Sequence, residues 1–114
     1  MKRIGVLTIF CLFLGLSLAH AHPPASIDIK YDQAAKQITA TIDHQVSNPK
    51  KHFIDHIILK ANGIVLETKR FSFQVTAQKQ IAVFAIPDAK PGDVIVLESY
   101  CNKGGRLSQQ IRVE

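Results

Sequence analysis

From Gln37 to Val46 the chain alternates without a break. Ile38, Ala40, Ile42, His44 and Val46 fall on one side, and Thr39, Thr41 and Asp43 on the other. Successive side chains of a strand point to opposite faces, so a period of two marks a β-strand with one buried face and excludes a helix. Such a strand needs a second layer to cover its apolar side. The neighbouring segments read the same way. Ser26 to Tyr31 alternates, and Phe53 to Ala61 is apolar and β-branched on both faces, as a central strand is. Asn62-Gly63 is a two-residue hairpin signal, after which Ile64 to Phe71 returns and Phe73 to Val75 continues beyond a bend. Gln80 to Ile86, Val94 to Cys101 and Leu107 to Val113 complete the set. Turn residues separate them at Asp32 to Ala35, Ser47 to Pro49, Ala89 to Asp93 and Asn102 to Gly105. The expectation is an all-β fold, a single immunoglobulin-like antiparallel β-sandwich of about seven strands.

The front of the chain is different. Lys2 and Arg3 precede an uncharged run from Ile4 to Leu18, and Ala19-His20-Ala21 follows it. A basic start, a short apolar core and a small-x-small site predict a signal peptide over 1–21, leaving one domain over 22–114. The apolar run is shorter than the roughly 20 residues of a membrane span, so no stable span is expected after cleavage. The predicted location is exported, periplasmic. At 114 residues the chain is too short for a multidomain enzyme. Its formal net charge is +5, part of which leaves with Lys2 and Arg3, and its longest basic cluster is Lys50-Lys51. Nucleic acid, which calls for a basic stripe, is not an expected partner. Of the two cysteines, Cys11 lies in the signal segment. Cys101 then stands alone in an oxidising compartment, where a thiol is buried, bonded to another molecule or bound to a metal.

Histidines remain at positions 22, 44, 52 and 56. His52 and His56 would share the face of a helix, but the zinc-protease pattern needs Glu after the first histidine, and Phe53 stands there. On a strand, residues four apart are separated by about 13 Å, so at most one of the two belongs to a site. His56 reads as a packed or edge histidine in mid-strand. His22, His44, His52 and Cys101 all fall at or near strand ends, which gather at the rims of a sandwich. Imidazoles with one thiolate suit iron, zinc or copper. Each also has a structural reading: His44 as a sheet histidine, Cys101 as a small core residue, His22 as part of a loose N-terminus.

Three pieces carry a resemblance: His22-Pro23-Pro24, Asn48-Pro49-Lys50-Lys51-His52-Phe53-Ile54, and Ser99-Tyr100-Cys101-Asn102 with Gly104-Gly105. In this order the chain resembles the iron domain of desulfoferrodoxin and the superoxide reductases. The resemblance implies an immunoglobulin-like sandwich with a mononuclear non-haem iron held by four equatorial histidines and an axial cysteine. It implies superoxide as substrate, reduced by one electron, and an electron-donor protein as partner. Cys101 sits at the axial position, His52 at the histidine before an aromatic residue and isoleucine, and His22 at the first-loop ligand. Two family histidines are replaced, by Asn48 and by Gly104. The five-ligand centre is therefore not expected to be intact, and His44 is the available substitute, giving the metal set His22, His44, His52 and Cys101. The rival expectations are a periplasmic copper or zinc carrier and a metal-free immunoglobulin-like binding module.

Overall fold

The computed structural model describes residues 22–114, so the signal segment read over 1–21 lies outside the described residues. The described residues form seven strands: β1 (Ser26–Asp32), β2 (Gln37–Asp43), β3 (Ile54–Ala61), β4 (Ile64–Arg70), β5 (Lys79–Ala85), β6 (Val94–Cys101) and β7 (Arg106–Arg112). They make two antiparallel sheets, ordered β1-β2-β5 and β4-β3-β6-β7. The all-β sandwich expected from the alternation is the fold observed.

The period-two pattern explains the core. On β2, Ile38, Ala40 and Ile42 are wholly buried, facing Phe84 and Ala82 of β5 on the same sheet and Ile57, Leu59, Ile95 and Leu97 of the other. Burying a side chain of this size contributes roughly 1.5–3 kcal/mol, so this face holds the layers together. The reading of β3 as a central strand also agrees, because it pairs with β4 on one side and β6 on the other. At the hairpin, Asn62 (φ 51°) and Gly63 (φ 84°) both take the left-handed backbone that a tight reversal requires.

Several strand ends shift by one residue from the sequence reading, and two larger differences bear on the site. β2 stops at Asp43, so His44 and Val46 lie beyond it, and Val46 is only half-buried. Their amides donate instead to the carbonyls of Gln78 and Ala77, in the crossover before β5. Phe73 to Val75 is irregular rather than strand. Here the chain leaves one sheet for the other, and Gln74 N–H donates to Pro49 O.

Candidate metal centre

The strand ends that meet at one rim bring four chemistry-bearing side chains together. His22 precedes β1, His44 follows β2, His52 precedes β3, and Cys101 ends β6. The ring centroids of His22, His44 and His52 lie 4.8–5.0 Å apart in all three pairings. One ligand atom from each falls within 4.8 Å of the others. Cys101 joins through His52, whose Nε2 is 3.1 Å from the sulfur. His56 is elsewhere: it stacks on Tyr100 with centroids 4.3 Å apart and contacts Asp55 through Nδ1.

Local structure shows how each side chain is presented. Asn48 stands where the resemblance has a histidine, but it is exposed and builds a turn. Its Oδ1 accepts the Lys50 N–H at 3.0 Å, and its carbonyl accepts the amides of Lys51 and His52. That turn delivers His52. Asn102 then clamps both flanks of His52: its Oδ1 accepts Phe53 N–H at 2.9 Å and its Nδ2 donates to Lys51 O at 3.0 Å. The Lys-His-Phe-Ile and Tyr-Cys-Asn pieces are thus physically joined, and the asparagine after Cys101 sets the place of the histidine beside it. A register shift between Ile54 and His56 in the β3–β6 pairing adds a bulge next to the site, where bulges commonly re-aim side chains.

His22 depends on glycine. A Cβ on Gly105 (φ +91°) would come within 3.0 Å of Pro23 N and Cα. Only a residue without one allows the N-terminal segment to lie this close. Gly104, at the other family histidine position, has φ 108° and supplies no donor side chain.

The electrostatics favour a neutral His52 ring. Burial, then the imidazoles of His44 and His22 and the ammonium of Lys103, hold His52 below its ordinary value. Burial pushes the Cys101 thiol up, aided by Asp55, against the backbone amides of Lys103 and Gly104 and the Lys103 charge. His52 Nε2 and the Cys101 sulfur are within hydrogen-bond distance at 3.1 Å, and Lys103 N–H approaches the sulfur at 3.4 Å.

The set fits a first-row metal. His44 is 1% exposed, yet its Nε2 has no hydrogen-bond partner, a costly state for a buried polar atom unless a ligand completes it. With metal–nitrogen near 2.1 Å and metal–sulfur near 2.3 Å, adjacent N and S donors at a right angle sit about 3.1 Å apart. The His52–Cys101 separation already matches. The imidazole ligand atoms, within 4.8 Å of one another, would draw closer around an ion, since cis nitrogens on one ion are about 3.0 Å apart. Sequence reasoning singled out these four residues by type but missed Asn102, Gly105 and Gln74 as their supports. At the opposite rim a cavity of about 290 Å³, lined by Ala61, Leu66, Ile86 and Ile95 among others, holds no such cluster.

No family model and no curated protein matches the chain. Solved structures do. It is similar to a superoxide reductase (1Fe-SOR) from Giardia intestinalis, at 16% identity and TM-score 0.61, over 81% of this chain and all of that one. It is also similar to a superoxide reductase (neelaredoxin) from Ignicoccus hospitalis, at 22% identity and TM-score 0.51, over 87% of this chain and 86% of that one. A hypothetical protein from Pyrococcus horikoshii OT3 matches at 20% identity and TM-score 0.59, over 80% of this chain and 89% of that one. The chain has the superoxide-reductase-like fold.

Proposed function

We propose that this chain is an exported superoxide-reductase-like protein that holds one non-haem iron through His22, His44, His52 and Cys101. The observation that carries the reading is the convergence at one rim of three imidazoles and a thiol, with the buried His44 Nε2 unpartnered. Iron held by these four residues would supply a one-electron couple, and the electron it gives to superoxide, with two protons from water, would yield hydrogen peroxide. The protein's part is to hold neutral nitrogen donors and one soft sulfur donor in a fixed arrangement. His22 is exposed, so small anions reach the site from its side. Lys103 and Lys51, on the two segments flanking the centre, contribute positive charge that favours an anionic substrate. The electron comes from a donor protein. Export by a signal peptide over 1–21 completes the proposal.

A second reading rests on Gly104. With no side chain there, three nitrogens and one sulfur make a four-donor set, and four donors suit tetrahedral zinc or Cu(I) held for transfer rather than turnover.

Metal analysis and spectroscopy separate the readings. Protein purified anaerobically and loaded with Fe(II) should bind one equivalent, show thiolate-to-iron absorption on oxidation and consume superoxide without releasing oxygen. Cys101→Ser should abolish the absorption and lower affinity at least tenfold, because oxygen is a poorer soft donor. Tight Cu(I) or Zn(II) binding without superoxide consumption would favour the carrier. No binding of any of the three would leave the metal-free module. N-terminal sequencing of exported protein should give His22 as the first residue.

A further inference from the structure

Gln74 lies in the crossover between β4 and β5 and is 2% exposed. Its side-chain amide is used at both ends. Oε1 accepts Ile54 N–H at 3.2 Å and lies 2.8 Å from His44 Nδ1. Nε2 donates to the carbonyls of His44, at 2.8 Å, and Thr76, at 3.0 Å.

These contacts determine which end of the amide is which. Carbonyl oxygens only accept, so the end facing His44 O and Thr76 O must be the NH2 group. A backbone N–H only donates, so the end facing Ile54 must be the oxygen. That oxygen only accepts, and so the proton on the neutral His44 ring must sit on Nδ1. The other ring nitrogen, Nε2, then carries a lone pair, and it is the buried atom without a partner. The amide's own place is also secured, because the Gln74 backbone N–H is bonded to Pro49 O and Gln80 Nε2 donates to Phe73 O beside it.

We propose that Gln74 is a positioning residue of the metal centre: it locks His44 in the Nδ1–H tautomer and leaves Nε2 as a lone-pair donor shared with His22 and His52. This rests on reading the cluster as a metal site, and it adds a partner for a ligand that the sequence left without one. Outer hydrogen bonds of this kind fix ring orientation and raise ligand basicity, and their loss commonly costs about 10- to 100-fold in metal affinity. The same amide ties the crossover to the end of β2, so a merely structural clamp is the alternative to be separated.

The test uses metal-free protein, long-range proton–nitrogen NMR of the imidazoles, and Co(II) titration. Wild type should show His44 protonated at Nδ1 and bare at Nε2, and should bind one Co(II). Gln74→Met removes both halves of the amide and should abolish the fixed Nδ1–H tautomer and weaken Co(II) binding about 10- to 100-fold. Gln74→Glu keeps an acceptor for Nδ1–H but forfeits the donors to His44 O and Thr76 O. It should therefore keep the tautomer and bind Co(II) within a few-fold of wild type, although it loses stability. A structural clamp would instead give loss of stability in both variants with tautomer and affinity unchanged in Gln74→Met. That outcome overturns the proposal, as does an Nε2–H tautomer in wild type. Should Gln74→Met not fold, Gln74→Glu and the wild-type tautomer decide. Failure of folded wild type to bind Co(II) would instead overturn the metal reading itself, and the proposed role with it.

Discussion

Among the described residues, two buried polar side-chain atoms near the rim have no hydrogen-bond partner, and they ask for opposite treatment. His44 belongs to the imidazole cluster, where a metal can satisfy its unpartnered Nε2. Ser99 Oγ lies on the inward face of β6, fully buried, two residues before Cys101 and two after Leu97. An unmatched buried hydroxyl costs about 1–3 kcal/mol, and alanine removes it with little change in volume. Ser99→Ala should therefore raise stability by about 1 kcal/mol, seen as a higher denaturant midpoint at unchanged slope. The chemistry-bearing residues were legible in the sequence because histidine and a lone cysteine are rare enough to be noticed. Gln74 and Asn102 were not, because amides are ordinary turn residues. Their roles exist only in bonds to His44, Lys51 and Phe53, which no local pattern encodes.

At the level of strands and turns, alternation made β1 and β2 readable, since each has one inward face. It failed where pairing changes partners. His44 and Val46 keep the alternation but bond to the crossover rather than to β5, so the rhythm outlasts the strand. The turn after β6 carries its own prediction. In Gly105→Ala the new Cβ meets Pro23 backbone at 3.0 Å, in a conformation that L residues rarely adopt. The segment holding His22 should be displaced, with metal affinity falling at least tenfold and stability by about 1 kcal/mol. His22→Ala, which leaves that packing alone, should lose affinity without the loss of stability. Within the larger sheet, Lys60 Nζ bonds Glu98 at 2.9 Å and Tyr100 OH adds a second bond. These hold the Glu98 carboxyl below the usual glutamate range, against the opposing effect of burial. A depressed folded-state value means the contribution is present above the unfolded glutamate value of about 4.3 and is lost as pH falls through the folded one. Glu98→Gln should thus flatten the decline in denaturant midpoint below about pH 4.5. An unchanged acid limb would assign that decline to other carboxylates, such as Asp93, which the Lys90 amide and Asn62 hold low.

Across the whole molecule, the donors come from both layers: His22 and His44 adjoin the three-stranded sheet, His52 and Cys101 the four-stranded one. They also run from position 22 to position 101, so no stretch of chain shorter than nearly the whole domain contains the centre. Long-range pairings of this kind form late in folding, because closing large loops costs entropy before contacts repay it. On the proposed metal reading the assembled rim is a timing device as much as a ligand set: an ion cannot find it until β6 has docked beside β3. Added metal should leave the refolding rate in dilute denaturant unchanged and slow unfolding, by about tenfold for each 1.4 kcal/mol of binding. A faster refolding limb would mean that part of the cluster is already joined in the transition state. If refolding is blind to metal, a cell compartment that supplies the ion selects finished chains over unfinished ones without any further recognition, since only a completed sandwich can retain it.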